Sequence, residues 1–369
     1  MSADPDVVIV LGTRPEIIKL APVIRACEEF GIAYSVIHTG QHYSDSLDSV
    51  FFDQLELPEP DHHLGIGSDT HAKQTAKMMV GIEEILLEEE PETVLVQGDT
   101  NSVLAGALAT SKLEIELGHI EAGLRSFDRS MPEETNRTVT DHVGDYLFAP
   151  TEQSRQYLLD EGVSDDRIHV TGNTVVDAVQ QNRELAIQKS DVLGELGVQP
   201  NEFGLLTAHR AENVDEKQRF EELLEGVSRV AARFETEFVY PIHPRAQNKL
   251  ETFELKVPDQ IRLIEPQDYL DFLTLENSAS VILTDSGGVQ EEACILGVPC
   301  VTLRENTERP ETIDVGANRL VGTDPEEIVD GALATVDSLN EWKNPFGNGT
   351  ASKQILHALS LSPATEVLQ

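Results

Sequence analysis

Residues 7–19 read Val7-Val8-Ile9-Val10-Leu11-Gly12-Thr13-Arg14-Pro15-Glu16-Ile17-Ile18-Lys19. Five aliphatic residues in a row predict a strand buried on both faces, as in a parallel sheet covered by helices. Gly12 permits a tight turn and Pro15 suits a first helical turn. Helical spacing then runs to Phe30, where Gly31 closes the helix. The opening unit is therefore strand, turn and helix, with the turn at the carboxyl end of the strand.

The same unit recurs. Strand-like runs stand at 34–38, 93–97, 115–120 and 146–149, separated by helical segments near 70–89, 101–112, 132–143 and 151–161. After Asn173 a second series begins, with runs at 204–208, 238–241, 261–264, 281–284 and 300–303 and helices near 215–233, 268–278, 289–296 and 325–337. Such alternation means βαβ units on parallel sheets. A chain of 369 residues is also long for one core. The prediction is an α/β chain of two doubly wound, Rossmann-like domains, 1–172 and 173–350, with a last helix at about 351–362 that packs back. Ligands of such folds bind at the carboxyl ends of the strands, here in a cleft between the domains.

Asp and Glu number 66 against 27 Lys and Arg, a net charge of −39. That balance repels nucleic acids and anionic membranes. The acids are dispersed, as in Glu88-Glu89-Glu90, Asp165-Asp166 and Glu221-Glu222, rather than gathered in a tail. They read as the solvated surface of a halophile, where concentrated salt screens self-repulsion. Cys27, Cys294 and Cys300 form no CxxC pair, which predicts reduced thiols in a cytoplasm. No basic n-region precedes the first strand, and no uncharged apolar run reaches membrane-spanning length.

Four places at strand ends carry chemistry. At the first, Arg14 and Lys19 add positive charge to a helix N-terminus suited to an anion. The turn matches neither GxGxxG nor a Walker A sequence, so a nicotinamide cofactor and an ATPase both lose ground. At the second, Asp285-Ser286-Gly287-Gly288 leads into a helix bearing Glu292. Its backbone amides suit a diphosphate, and Glu292 suits ribose hydroxyls. At the third, Gly98-Asp99-Thr100 and His119-Ile120-Glu121-Ala122-Gly123-Leu124-Arg125 place two carboxylates on one sheet edge, with Pro132-Glu133-Glu134 following. Carboxylates grouped in a dry cleft repel, so one is expected to hold a proton, which suits proton transfer at carbon. At the fourth, Thr207-Ala208-His209-Arg210 offers His209 to neutralise a leaving diphosphate. Pro266-Gln267-Asp268-Tyr269 with Phe272 offers an amide and a ring face for a base. Asp61-His62-His63 with His71 fits no metal-ligand spacing, so no metal is expected.

These segments resemble the non-hydrolysing UDP-N-acetylglucosamine 2-epimerases, of an archaeal and halophilic type, over nearly the whole chain. GTRPE, GDT, HIEAGLR, PEETNR, TGNTVVDA, HR, TDSGGVQEE and TERPE stand in that family's order. The resemblance implies a GT-B arrangement, a homodimer, and reversible inversion of C2 of a UDP-N-acetylhexosamine. UDP is eliminated to a bound 2-acetamidoglucal and re-added, with no cofactor. It implies proton-transfer roles for Asp99, Glu121 and Glu133, and His209 at the departing UDP. Arg14 and Lys19 fall near the diphosphate, Gln267 and Phe272 at the uracil, and Ser286, Gly287 and Gly288 at the phosphate turn. Glu292 falls at the ribose and Arg309 is the cation of the TERPE segment.

Thr100 follows Asp99 and the EAGLR string is intact, which favours the reversible enzyme over the hydrolysing one that releases N-acetylmannosamine. Of the segments through which bacterial relatives are activated by substrate, Gln41 and His42 persist, but Tyr43 and Thr70-His71-Ala72-Lys73-Gln74 depart. Ser126 to Arg137 also resembles relatives acting on diacetylated uronic acids, so the substituents at C3 and C6 stay open. A GT-B glycosyltransferase and a non-catalytic sugar-nucleotide sensor share the fold, but neither gives a reason for three converging acids.

Overall fold

The computed structural model describes residues 5–41, 45–336 and 342–361. It divides into an N-terminal unit, 1–180 with 346–369, and a C-terminal unit, 181–345.

The N-terminal unit holds strands β1 (Val7–Leu11), β2 (Tyr34–His38), β3 (His62–His63), β4 (Thr93–Gln97), β5 (Glu116–Ile120), β6 (Tyr146–Ala149) and β7 (Ile168–Val170). They form one parallel sheet in the order β3-β2-β1-β4-β5-β6-β7. All five residues of β1 and of β4 are buried, as expected for central strands covered on both faces. The helix Arg14–Phe30 ends on Gly31 at φ +69°, a left-handed cap that a side chain would strain. Apolar side chains from β1, β4 and the helix His71–Glu89 pack together, among them Val10, Val96, Met78 and Ile82.

The C-terminal unit holds β8 (Phe203–Thr207), β9 (Glu237–Pro241), β10 (Ile261–Ile264), β11 (Val281–Thr284), β12 (Cys300–Thr302) and β13 (Asn318–Leu320). These too are parallel, in the order β10-β9-β8-β11-β12-β13. Phe220, Leu223, Phe238 and Tyr240 sit fully buried in its core. The Tyr240 hydroxyl donates to the Ala208 carbonyl at 2.6 Å, tying the end of β8 to its neighbour. Removing that hydroxyl would leave a buried carbonyl unpaired, at a cost of about 1–3 kcal/mol.

Each sheet reverses its strand order once, between β1 and β4 and between β8 and β11. The crevice at the carboxyl ends of such a reversal is where open α/β sheets bind ligands. Gly12 and Gly98 follow β1 and β4; His209 and Asp285 stand just beyond β8 and β11. The sequence motifs thus fall on both reversal points.

Three strands lie outside the periodic runs: β3, β7 and β13. They are two or three residues long and owe their state to pairing at or near a sheet edge. In β3, His62 Nε2 lies 2.7 Å from Glu89 Oε1. The helix Ala351–Ala358 returns to the N-terminal unit and packs on the helix Arg14–Phe30. Asp177 caps it, accepting from Ala351 N at 3.1 Å and from Ser352 N and Oγ at 2.9 and 2.7 Å.

Candidate active site

The turn after β1 is self-filled. The Glu16 carboxylate folds back and accepts from Gly12 N at 3.0 Å, Thr13 Oγ1 at 2.7 Å and Thr100 Oγ1 at 2.7 Å. Glu16 is only 2% exposed. Burial pushes its carboxyl up to about 7, against the pull of those hydrogen bonds. The amide that an incoming anion would use at Gly12 is therefore taken by the chain's own acid. Arg14 stands exposed, its guanidinium carbon 5.9 Å from the centre of the Phe51 ring.

The two acids at the ends of β4 and β5 each meet a cation. Asp99 pairs with Arg137, and Asn136 Nδ2 holds the Asp99 carbonyl at 2.9 Å. Glu121 accepts from Lys19 Nζ at 2.6 Å, from Asn173 Nδ2 at 2.8 Å and from the Gln97 amide. Lys19, expected beside a diphosphate, is thus directed at Glu121. The acids expected to repel one another thus alternate with bases, and beside them burial raises the Glu16 carboxyl to about 7. Glu133 is half-buried in the first turn of the helix Pro132–Val143. It lines a 740 Å³ cavity with Gly12, Arg14, Thr100 and Asn101. Gln41 Oε1, near that cavity, accepts from Ser102 N and Oγ at 3.2 and 2.8 Å. His42 and Tyr43 lie outside the described residues.

Glu121 is held at φ +69°, an unusual conformation for a residue with a side chain. The rest of the HIEAGLR string enforces it. His119 Nδ1 lies 2.7 Å from Asp141 Oδ1, His119 Nε2 is 2.8 Å from the Gly98 carbonyl, and Arg125 Nη1 is 2.7 Å from Asp141 Oδ2. Burial opposes ionisation of Asp141, but His119 and Arg125 outweigh it and hold the carboxyl below the usual range. Gly123 has φ +79°, and a Cβ there would lie 2.3 Å from the Ser154 carbonyl oxygen. His119, Gly123 and Arg125 are thus supports for the Glu121 turn. Glu134 likewise serves its own loop, accepting from Ser126 N at 3.0 Å and Phe127 N at 3.0 Å.

In the C-terminal unit, Asp285 organises the turn after β8. Its carboxylate accepts from His209 N at 2.9 Å, Arg210 N at 2.9 Å and Asn213 Nδ2 at 3.1 Å, and lies 3.2 Å from His209 Nδ1. Burial opposes ionisation here too, yet the hydrogen bonds from His209 and Arg210 keep this carboxyl below its ordinary range. The His209 side chain is 41% exposed, so an imidazole anchored on one side is presented on the other.

Ser286 is the N-cap residue of the helix Gly287–Leu296, but its side chain makes no capping bond. A Cβ added at Gly287 or Gly288 would meet nothing closer than 3.8 Å, so this turn is open where the β1 turn is filled. Inside the helix, Glu292 Oε1 accepts from the Tyr269 hydroxyl at 3.3 Å. Gln267 Nε2 donates to the Glu265 carbonyl at 2.7 Å, and Phe272 packs half-buried against the unit's core. Arg309 Nε lies 2.7 Å from Glu291 Oε1, a pair in which the acid is 2% exposed.

Asp285, Arg137, Gln97 and Asn173 were not singled out from sequence. All lie inside or beside the strand-end motifs, and Asp285 sits next to Ser286. Their partners are 20 to 80 residues distant in chain order, so no local pattern reveals the pairing.

A family model described as UDP-N-acetylglucosamine 2-epimerase matches residues 25–360. The UDP-N-acetylglucosamine 2-epimerase of Methanocaldococcus jannaschii is 52% identical over 358 residues, covering 95% of this chain and 98% of that one. The UDP-2,3-diacetamido-2,3-dideoxy-D-glucuronate 2-epimerase of Pseudomonas aeruginosa is 39% identical over 356 residues, covering 96% and 99%. A crystal structure of the Methanocaldococcus jannaschii enzyme with UDP-GlcNAc and UDP superposes with a TM-score of 0.84 at 52% identity, covering 96% of this chain and 99% of that one.

Proposed function

The chain belongs to the UDP-N-acetylglucosamine 2-epimerase family, and we propose that it interconverts UDP-N-acetylglucosamine and UDP-N-acetylmannosamine without releasing the sugar. The observation that carries this reading is the acid set at the carboxyl ends of β4 and β5, each acid held by a cation. A carboxylate fixed in that way is a base of defined position.

The chemistry balances without an oxidant. A carboxylate takes the proton from C2, the C2–H electron pair forms the C1=C2 double bond, and the C1–O pair leaves with UDP. Re-addition of UDP at C1, with protonation of C2 on the opposite face, gives the epimer. Asp99, Glu121 and Glu133 supply the proton-transfer groups. His209, anchored through Asp285, stabilises the charge that develops on the leaving diphosphate. The open turn at Ser286, Gly287 and Gly288 receives phosphate oxygens, Glu292 the ribose hydroxyls, and Gln267 and Phe272 the uracil. Arg14, exposed beside the cavity of the first unit, adds positive charge for the nucleotide. No net redox change occurs, so the reaction requires no nicotinamide.

The enzyme works as a homodimer in a salt-rich cytoplasm and feeds glycan synthesis. A net charge of −39 with dispersed acids supports the saline setting. A second reading, a C3- and C6-modified substrate, is favoured by the 39% identity to the diacetamido-uronate enzyme.

Proton NMR of UDP-N-acetylglucosamine with the enzyme in D₂O at molar KCl tests this directly. Deuterium at C2 with a growing UDP-N-acetylmannosamine signal is the expected result. Release of free N-acetylmannosamine would replace it with the hydrolysing reaction. An inert substrate with intact UDP binding would select the modified sugars.

A further inference from the structure

Glu276 lies on the helix Tyr269–Ser278 and is completely buried. Neither of its side-chain oxygens receives a hydrogen bond from a donor among the described residues. A buried carboxylate left in that state carries a desolvation cost of several kcal/mol. Three titratable groups among the described residues lie close enough to interact with it. Glu292 reaches it from the helix Gly287–Leu296, Tyr269 from its own helix, and the Cys300 thiol from β12. Each carboxylate is only an acceptor when ionised, so Glu276 and Glu292 form a hydrogen bond only if a proton lies between them. Two adjacent carboxylates in a dry site do not both ionise. Glu292 also accepts from Tyr269 and is half-buried, whereas Glu276 is wholly enclosed. The proton therefore belongs on Glu276, the more enclosed partner.

We propose that Glu276 is a positioning residue, which donates the shared proton to Glu292 and so fixes the carboxylate that receives the two vicinal hydroxyls of the nucleotide's ribose. The proposal rests on the assignment of Glu292 to the ribose in the preceding section. With Tyr269 and Glu276 both donating to it, the Glu292 carboxylate is fixed in orientation for the diol. Desolvation by burial, then the neighbouring Glu292, keeps the Glu276 carboxyl protonated well above the ordinary carboxylate range. Ionisation of the pair at high pH replaces a hydrogen bond by repulsion and loosens the ribose site.

Calorimetric titration of the full chain with UDP at molar KCl tests this. In the wild type, affinity is expected to fall about tenfold as pH rises through the ionisation of the buried carboxyl, above the ordinary carboxylate range. Glu276→Gln keeps a neutral donor in the same place. It should bind within about threefold of wild type below that ionisation and lose less than about twofold across it. The ratio of the two proteins' affinities cancels ionisation of the nucleotide itself. Glu276→Met removes the donor while preserving volume and should bind about tenfold more weakly at every pH. If Glu276→Gln follows the wild-type pH profile, or Glu276→Met binds as wild type, the proposal is overturned. Should Glu276→Met fail to fold, the Gln ratio decides alone. Titration of Glu292→Ala with UDP and 2′-deoxy-UDP separates the underlying assignment. Equal binding of the two nucleotides supports Glu292 at the ribose, and a retained wild-type preference removes that assignment irrespective of Glu276.

Discussion

Lys19 Nζ lies 2.6 Å from Glu121 Oε1, joining two residues 102 apart in the chain. The pair is largely enclosed, with side chains 14% and 5% exposed. Removing one member of such a pair strands a buried charge, at about 3–5 kcal/mol when burial is complete. Lys19→Met is therefore expected to lower kcat for C2 exchange by about 100-fold while leaving UDP affinity near wild type. If UDP binding weakens and kcat holds, Lys19 serves the diphosphate and not Glu121.

Asp99→Asn keeps the shape of the side chain and removes its basicity. Deuterium exchange at C2 should fall at least about 1,000-fold, with UDP binding unchanged. Epimerisation at the native rate would remove Asp99 from the proton-transfer set.

Glu16 carries a pH signature of folding. Its carboxyl titrates at about 7 in the folded chain against 4.5 as an ordinary glutamate. Between those values the folded state holds more protons than the unfolded state, so stability is full below the lower value and declines as pH rises to the upper one. The loss amounts to about 3 kcal/mol by linkage. Denaturant titrations across that window should show the decline in wild type and a flatter profile in Glu16→Gln. Identical slopes in the two proteins would place the titration elsewhere.

The acid surface predicts salt dependence. Screening length grows from about 3 Å in molar salt to about 30 Å at ~0.01 M, so self-repulsion among the carboxylates strengthens on dilution. The melting midpoint should drop by about 10 °C or more between those conditions, followed by circular dichroism. A constant midpoint would mark an acidic protein indifferent to salt.

Much of this architecture is legible residue by residue. Val7 to Leu11 and Thr93 to Gln97 are central strands because unbroken burial demands apolar side chains on both faces. β3, β7 and β13 escape because two or three residues carry no period. Asp99 and Glu121 are legible because they follow the neighbouring strands β4 and β5, at the carboxyl edge beside the reversal of strand order. Their cations are not, since Arg137 and Lys19 reach them only once the sheet is assembled. Glu16 reads as a surface acid after an exposed Arg14, yet the turn encloses it. Glu276 is hidden for the same reason: among 66 acids, one more on a helix reads as solvated.

The cap that Asp177 places on the helix Ala351–Ala358 makes the C-terminal unit an insertion nested within the N-terminal one. No single cut liberates two complete halves. A fragment ending at residue 180 would lack the helix that covers the helix Arg14–Phe30, and it would leave the buried Asp177 carboxylate without three of its donors. Residues 181–345, by contrast, form one continuous stretch, whose first boundary falls inside the helix Thr174–Lys189. The two units are thus bound to one another by chain order, and the helix Thr174–Lys189 is the element that any dissection has to assign to one of them.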